Sequence, residues 1–424
     1  MAGKAKRRKK PASNRGTVAG STSIIPKIVD ALPATAQACV ELGLQLEVRR
    51  EFPRAKRAFA RAVKLAPRSV AAHAHHAYAL GRTLDLSGAE AAHKQALRLA
   101  PGSAEVMARH GQMFMDNDMH EQAEPVLKRA AELDPNLGDA HMNLCWTLRR
   151  LGRLSEAIHH GEIACRLIND SNASFYLAFA LLSADRAEDA LSVCQRQLAM
   201  DPHDIPAMTL MVTALDRCGR RDEGRYLADL EKLVVSTALN PPQGYESLEA
   251  FNAELAQAIL AAPSRPLDQT QTLDIFEQPQ GAMMALWRTF NEASQFYFNS
   301  VPSDPDHPFL AAHPQRWVLD GWGNRVRGNP EQEHHFHHHG WLSGVYYVEV
   351  PDFVGQDENN LGGCIEFCRF NAYSQAQVES EFMVIKPEPG TLVLFPSFMY
   401  HRVLAFSGNA QRISIAFNLT PTAW

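Results

Sequence analysis

The stretch Glu331 to Val350, EQEHHFHHHGWLSGVYYVEV, holds five of the chain's 18 histidines within six residues. The cluster lies inside the chain, is interrupted by Phe336 and runs into SGVYYVEV, a Val- and Tyr-rich strand sequence, which argues against an affinity tag. Side chains two apart on a strand share a face, so His335 and His337 can both point into the mouth of a barrel. Two imidazoles alone bind metal weakly, so a third ligand must arrive from another strand. His401, in FPSFMYHRVLAF, is the candidate, because it follows a Pro-Gly turn and the apolar run KPEPGTLVLFP. Arg412 stands eleven residues further on, in QRISIAF, between alternating apolar residues. An arginine on an inward strand face is costly unless it meets an anion, and its planar fork suits a carboxylate. Taken singly, His401 also reads as a core histidine and Arg412 as half of a buried ion pair.

These residues need a scaffold. From about Trp317 the sequence turns to short Val, Leu, Phe and Tyr runs separated by Gly, Pro and Asn. SGVYYVEV, GGCIEFCRF, EFMVIKP, GTLVLFPSF, HRVLAF and QRISIAFNL read as successive β-strands of a sandwich or jelly roll. Apolar spacing predicts two helices before them, near 245–261 and 280–298.

In this order, within about 80 residues, H-x-H, SGVYYV, GG-x-I-x-F, P-x-P-G-x-L-V-L-F, His and R-I-S resemble an iron(II)/2-oxoglutarate-dependent oxygenase of a bacterial and phage group. The resemblance covers roughly 317–420 and implies a double-stranded β-helix. It implies that His335 and His401 are iron ligands and that Arg412 pairs with the distal carboxylate of 2-oxoglutarate. Ser414 and Tyr347 would add hydrogen bonds to that carboxylate, and Asn324, from GWGN, would line the pocket. Tyr346, on the other side of the strand, is the alternative to Tyr347 in that role. His337 falls where the wider superfamily has Asp or Glu, and three neutral imidazoles would leave the metal more positive by one charge. Three outcomes follow: His337 is itself the third ligand, it is an outer group, or Glu333, Glu366 or Asp357 supplies a carboxylate. His338 and His339 read as solvent- or substrate-facing.

The first half of the chain carries a repeat. KLAP, RLAP and ELDP end at Pro67, Pro101 and Pro135, 34 residues apart, and AMDP ends at Pro202. Ala55, Ala89, Ala123, Ala157 and Ala190 keep one register, and Ala62, Ala96, Ala130 and Ala164 another. Small residues at fixed intervals let paired helices approach closely, and a proline after the second helix ends it. The pattern resembles the tetratricopeptide repeat, with five full units over about 36–202 and a degenerate sixth to about 235. Such arrays stack into a curved solenoid suited to holding peptides, or serve as scaffolds. His73, His75, His76, His141, His159 and His160 read as groove or surface residues.

Residues 1–20 carry seven Lys or Arg and no acid, which leaves about −12 on the rest of a chain whose net charge is −5. A basic, disordered tail over 1–30 is expected, without secretory character and with little reason to bind nucleic acid. No apolar run approaches the roughly 18 residues of a membrane span. Seven scattered cysteines suit free thiols in a reducing cytoplasm. The expected architecture is α+β and multidomain: an all-α tetratricopeptide solenoid over 31–238, then a jelly-roll domain with flanking helices over 239–424. The expected activity is hydroxylation of a protein or peptide side chain held by the solenoid groove, using Fe(II), 2-oxoglutarate and O2. The alternatives are a three-histidine metal dioxygenase that does not use 2-oxoglutarate, and a non-catalytic repeat scaffold.

Overall fold

A computed structural model describes residues 32–48, 51–265, 268–272, 274–329, 334–352, 354, 361–368 and 381–424. The basic tail expected over 1–30 lies outside the described residues, as do Glu333 and Asp357.

The 34-residue period appears as successive helix pairs. They are α1 (Ala36–Val48) with α2 (Phe52–Leu65), α3 (Val70–Gly81) with α4 (Leu86–Leu99), and α5 (Ala104–Met115) with α6 (His120–Leu133). Then come α7 (Gly138–Arg150) with α8 (Leu154–Leu167), α9 (Ser171–Ser183) with α10 (Ala187–Met200), and α11 (Ile205–Arg217) with the shorter α12 (Arg221–Leu227). Pro67, Pro101, Pro135 and Pro202 fall just past α2, α4, α6 and α10, where no further helical N–H is required. Ser69, Ser103 and Asp204 cap α3, α5 and α11 by accepting from Ala72, Val106 and Ala207 N–H. From the second pair onward the turn uses one left-handed residue at the same beat: Leu84, Asp118, Gly152, Asp185 and Gly219. The alanines of both registers are fully buried. At Gly111 a Cβ would stand 2.4 Å from Leu127 Cγ, so this approach of α5 and α6 requires glycine.

The first helices of successive pairs, α3, α5, α7, α9 and α11, pack against one another in turn. They therefore line the inner face of a curved tetratricopeptide-like solenoid. His141 is buried rather than on the groove or the surface, and its Nδ1 meets that of half-buried His160 at 2.8 Å between α7 and α8.

After α13 (Leu230–Leu233) the chain enters a sheet through β1 (Val235–Ala238), four residues before the boundary expected at 239. Helix α14 (Leu248–Ala261), strands β2 (Ser264–Arg265) and β3 (Asp268–Thr272), helix α15 (Gly281–Ser300), and β4 (Arg316–Asn329) follow. The remaining strands are β5 (Leu342–Glu349), β6 (Ile365–Cys368), β7 (Phe382–Ile385), β8 (Thr391–Pro396), β9 (Tyr400–Val403) and β10 (Phe406–Ala423). They form two antiparallel sheets, ordered β1-β8-β5-β10-β4-β3-β2 and β7-β6-β9. HRVLAF is therefore not one strand: Tyr400–Val403 belongs to the smaller sheet, and Phe406 opens β10 of the larger.

Alternation along β5 and β10 divides the larger sheet into two faces. Ile413, Ile415 and Phe417 share the face covered by helices: Phe417 stacks on Phe290 of α15 at 4.1 Å, and the Tyr346 hydroxyl donates to Asn252 Oδ1 of α14. Arg412, Ser414 and Asn418 share the opposite face, with Ser343 and Tyr347 of β5. One continuous buried core runs from α5 through the solenoid into both sheets. At the junction Thr209 Oγ1 donates to the Phe398 carbonyl and His203 stacks on Trp424 at 3.5 Å.

Candidate metal centre

His335 precedes the strand that was expected to carry it. Its backbone forms an isolated antiparallel bridge with His401 of β9, each N–H donating to the other's carbonyl at 3.0 and 2.9 Å. A directly opposed, hydrogen-bonded pair places both side chains on one side. His337 is held next to them by its N–H, which donates to the Ser397 carbonyl at 3.0 Å. One ring nitrogen from each of His335, His337 and His401 lies within 4.8 Å of the others.

The outer contacts fix the tautomers of two rings. His401 Nδ1 donates to the Met399 carbonyl at 3.1 Å, and His337 Nδ1 lies against Asn418 Oδ1 and, at 2.9 Å, Ser343 Oγ. Both rings thus keep Nε2 as a lone-pair donor, the form a metal needs. Burial and the neighbouring His335 lower the basicity of both, His337 to about 3 and His401 well below the ordinary histidine value, so both are neutral at physiological pH. His337 is half-buried and His401 buried, while His335 is exposed at the mouth. The donor set therefore fits a transition-metal ion held by imidazoles.

Among the described residues no Asp, Glu or Cys joins this cluster. Glu366 was a candidate carboxylate, and the geometry excludes it. Phe367 pairs with His401 across β6 and β9, so its neighbour Glu366, itself buried, lies on the other face of the small sheet, away from the cluster. There it accepts from His334 Nε2 at 3.0 Å and Arg402 Nε at 2.7 Å. Of the six-residue histidine run, His334 therefore serves an ion-pair network and His335 and His337 the cluster. His338 and His339 are exposed, with His338 against Phe175 of α9.

The residues assigned to the co-substrate form one row. Ser414 of β10 stands opposite Tyr347 of β5 on one side and Asn324 of β4 on the other. Arg412, two residues earlier, shares their face, its guanidinium carbon 5.1 Å from the Tyr347 ring centroid. Arg412 is 3 % exposed and Tyr347 fully buried, yet Arg412 Nε and the Tyr347 hydroxyl have no hydrogen-bond partner among the described residues. No carboxylate pairs with Arg412 there either. Burial raises the Tyr347 phenol, and the Arg412 cation pulls it partly back. A buried guanidinium whose Nε is unpartnered, beside a buried hydroxyl in the same condition, fits a small carboxylate between them.

Sequence reasoning did not single out Ser343, Asn418 or Ser397. Ser343 and Asn418 were within its reach: they lie four residues from Tyr347 and Ser414, respectively, and the two-residue period puts them on the same face. Ser397 links to Ser343 Oγ at 2.7 Å through a turn that no periodicity marks.

Residues 320–418 match the family described as "Putative 2OG-Fe(II) oxygenase". The chain thus carries a C-terminal 2-oxoglutarate/Fe(II)-oxygenase-like domain with a clustered three-histidine metal site. Among solved structures, PilF of Pseudomonas aeruginosa is similar at 20 % identity, covering 46 % of this chain and 90 % of that chain, with a TM-score of 0.40. A thermophilic TPR protein of Thermus thermophilus is similar at 22 % identity, covering 46 % and 100 %, with a TM-score of 0.37. YrrB, described as a TPR protein with an unusual peptide-binding site, is similar at 19 % identity, covering 41 % and 90 %, with a TM-score of 0.31. No curated protein matches the chain. Among the described residues no helix is long and apolar enough to cross a membrane.

Proposed function

We propose that the jelly-roll domain is an iron-dependent oxygenase that uses 2-oxoglutarate as co-substrate and hydroxylates a polypeptide presented by the solenoid. The observation that supports the co-substrate most directly is Arg412: a cation 3 % exposed, without an anionic partner among the described residues, on the interior face that also carries His337's tethers. His335, His337 and His401 would hold the metal. When bound, it supplies oxygen activation coupled to oxidative decarboxylation of 2-oxoglutarate to succinate, the reaction class the domain resemblance implies.

The chain's own share is positioning. Arg412 would take the distal carboxylate through its planar fork, and Tyr347 and Ser414 would donate to the same group. Asn324 closes the row on the β4 side. Asn418 and Ser343 hold the His337 ring, and the Met399 carbonyl holds that of His401. Phe367 and Phe395 pack against His401, at 5.9 and 4.6 Å between centroids, and keep water from that side of the cluster. The seven cysteines are odd in number and scattered along the chain, and we assign the protein to a reducing cytoplasm on that ground.

A second reading has its own support. His337 stands where a carboxylate is usual, and no acid replaces it among the described residues. That donor set suits a three-histidine dioxygenase that does not use 2-oxoglutarate. Anaerobic calorimetric titration of 2-oxoglutarate into iron(II)-loaded protein separates the two readings. Saturable binding of one equivalent, lost in Arg412→Ala while metal is retained, supports the first. Absence of 2-oxoglutarate binding to metal-loaded wild-type protein overturns it in favour of the second.

A further inference from the structure

The solenoid does not stand apart from the metal cluster. A cleft of about 240 Å3 lies between α7 and α9 on one side and the histidine run on the other. Its solenoid wall is Trp146, Arg149, Arg150, Phe175 and Phe179, and its jelly-roll wall includes His335, Phe336, His338 and Tyr400. The two walls touch: Phe175 packs 5.9 Å from Phe336 and 5.3 Å from His338, centroid to centroid. Because α7 and α9 belong to the inner face of the solenoid, its groove runs directly into the mouth of the metal site.

The chemistry of this cleft is specific. Arg149 lies between two aromatic faces, its guanidinium carbon 4.3 Å from both the Trp146 and the Phe179 centroids. It makes no ion pair among the described residues, and its Nε has no hydrogen-bond partner there. The neighbouring Arg150 is turned to His120 and Asp118. Among the described residues no acid lines the cleft, which gives it a cationic lining with aromatic sides. Burial and Arg150 lower Arg149 to about 10, so it remains charged at neutral pH. An aromatic-braced guanidinium loses little freedom when it takes up a carboxylate.

We propose that this cleft is the substrate subsite. It would take an extended polypeptide segment from the solenoid groove and read an acidic side chain of that segment with Arg149, close to the residue brought to the metal. Naming the cleft as a substrate subsite rests on the oxygenase reading above. A polypeptide fits better than a small acid because the cleft is open to the inner face of the repeats. The apolar stem of the substrate residue would lie on Phe175 and Phe179, with its carboxylate over Arg149.

Fluorescence polarisation on the full chain tests this, with labelled degenerate peptide mixtures carrying a fixed central Glu, Gln or Lys. Wild-type protein is expected to bind the Glu mixture about tenfold more tightly than the other two, the worth of one charge-assisted contact. Arg149→Glu is expected to reverse the order toward Lys, and Arg149→Lys to keep it. Equal affinities in wild-type protein, or an acid preference that survives in folded Arg149→Glu, would overturn the proposal. So would free glutarate displacing the Glu mixture at matched carboxylate concentration, which would make the occupant a small acid. The wild-type order decides by itself should Arg149→Glu fail to fold. Metal uptake is measured on the same samples: acid preference without metal binding supports the docking proposal and sinks the oxygenase reading, while metal binding without acid preference does the reverse.

Discussion

Tyr347 and Arg412 sit on neighbouring strands with the guanidinium 5.1 Å from the phenol ring, and each keeps a buried polar atom without a hydrogen-bond partner among the described residues. A stable core does not ordinarily leave two such groups side by side. Tyr347→Phe removes one donor and leaves the charge. It should weaken 2-oxoglutarate binding about tenfold, a smaller loss than in Arg412→Ala, with metal affinity unchanged. Calorimetry on both variants gives the ranking, and equal losses would show that the hydroxyl does not act separately.

Asn418 touches His337 and not the substrate row, so it should act through the metal. Asn418→Ala frees the ring to rotate and removes the contact that keeps its Nδ1 protonated. Metal affinity is expected to fall about tenfold to a hundredfold. A competition assay with a chromogenic chelator reads this, and unchanged affinity would remove His337 from the ligand set.

Leu84 adopts φ 61° and its side chain is 61 % exposed, so it bears left-handed strain with little burial in return. Gly152 and Gly219 occupy the same beat in other units at φ 75°. Leu84→Gly should therefore stabilise the solenoid by about 1 kcal/mol. Urea unfolding checks the direction, and a lowered midpoint would mean that the leucine packs more than its exposure indicates.

His93 of α4 and His110 of α5 stack at 4.3 Å in the solenoid core. Burial, followed by His110 and Arg109, lowers His93 to about 2, and burial lowers His110 to about 4. Their folded values lie below the unfolded histidine value of about 6.5, so the unfolded chain binds more protons on acidification. Their contribution to stability is full above about pH 6.5 and is lost as pH falls, down to about 4 for His110 and about 2 for His93. Thermal unfolding midpoints should drop from about pH 7 to about pH 5, and less steeply in His93→Leu. A slope unchanged in that variant would assign the acid sensitivity elsewhere.

Much of this protein was legible in the sequence because its constraints are local and periodic. Every helix pair of the solenoid must bury the same positions against its neighbours, so alanines, turns and terminal prolines recur on one beat. Strand alternation likewise placed Arg412 and Ser414 on one face and separated Tyr347 from Tyr346. What only the tertiary structure decided are pairings between segments far apart in the chain. Glu366 points away from the cluster because Phe367, not Glu366, was brought opposite His401. Asn418 reaches His337 across 81 residues. Strand β1 leaves the helical half to join the larger sheet at β8. The aromatic and arginine wall of α7 and α9 faces the metal cluster only because the last repeats pack into one core with the jelly roll. Local periodicity sets which face a residue shares, but burial of common apolar surface between whole elements sets which residues meet.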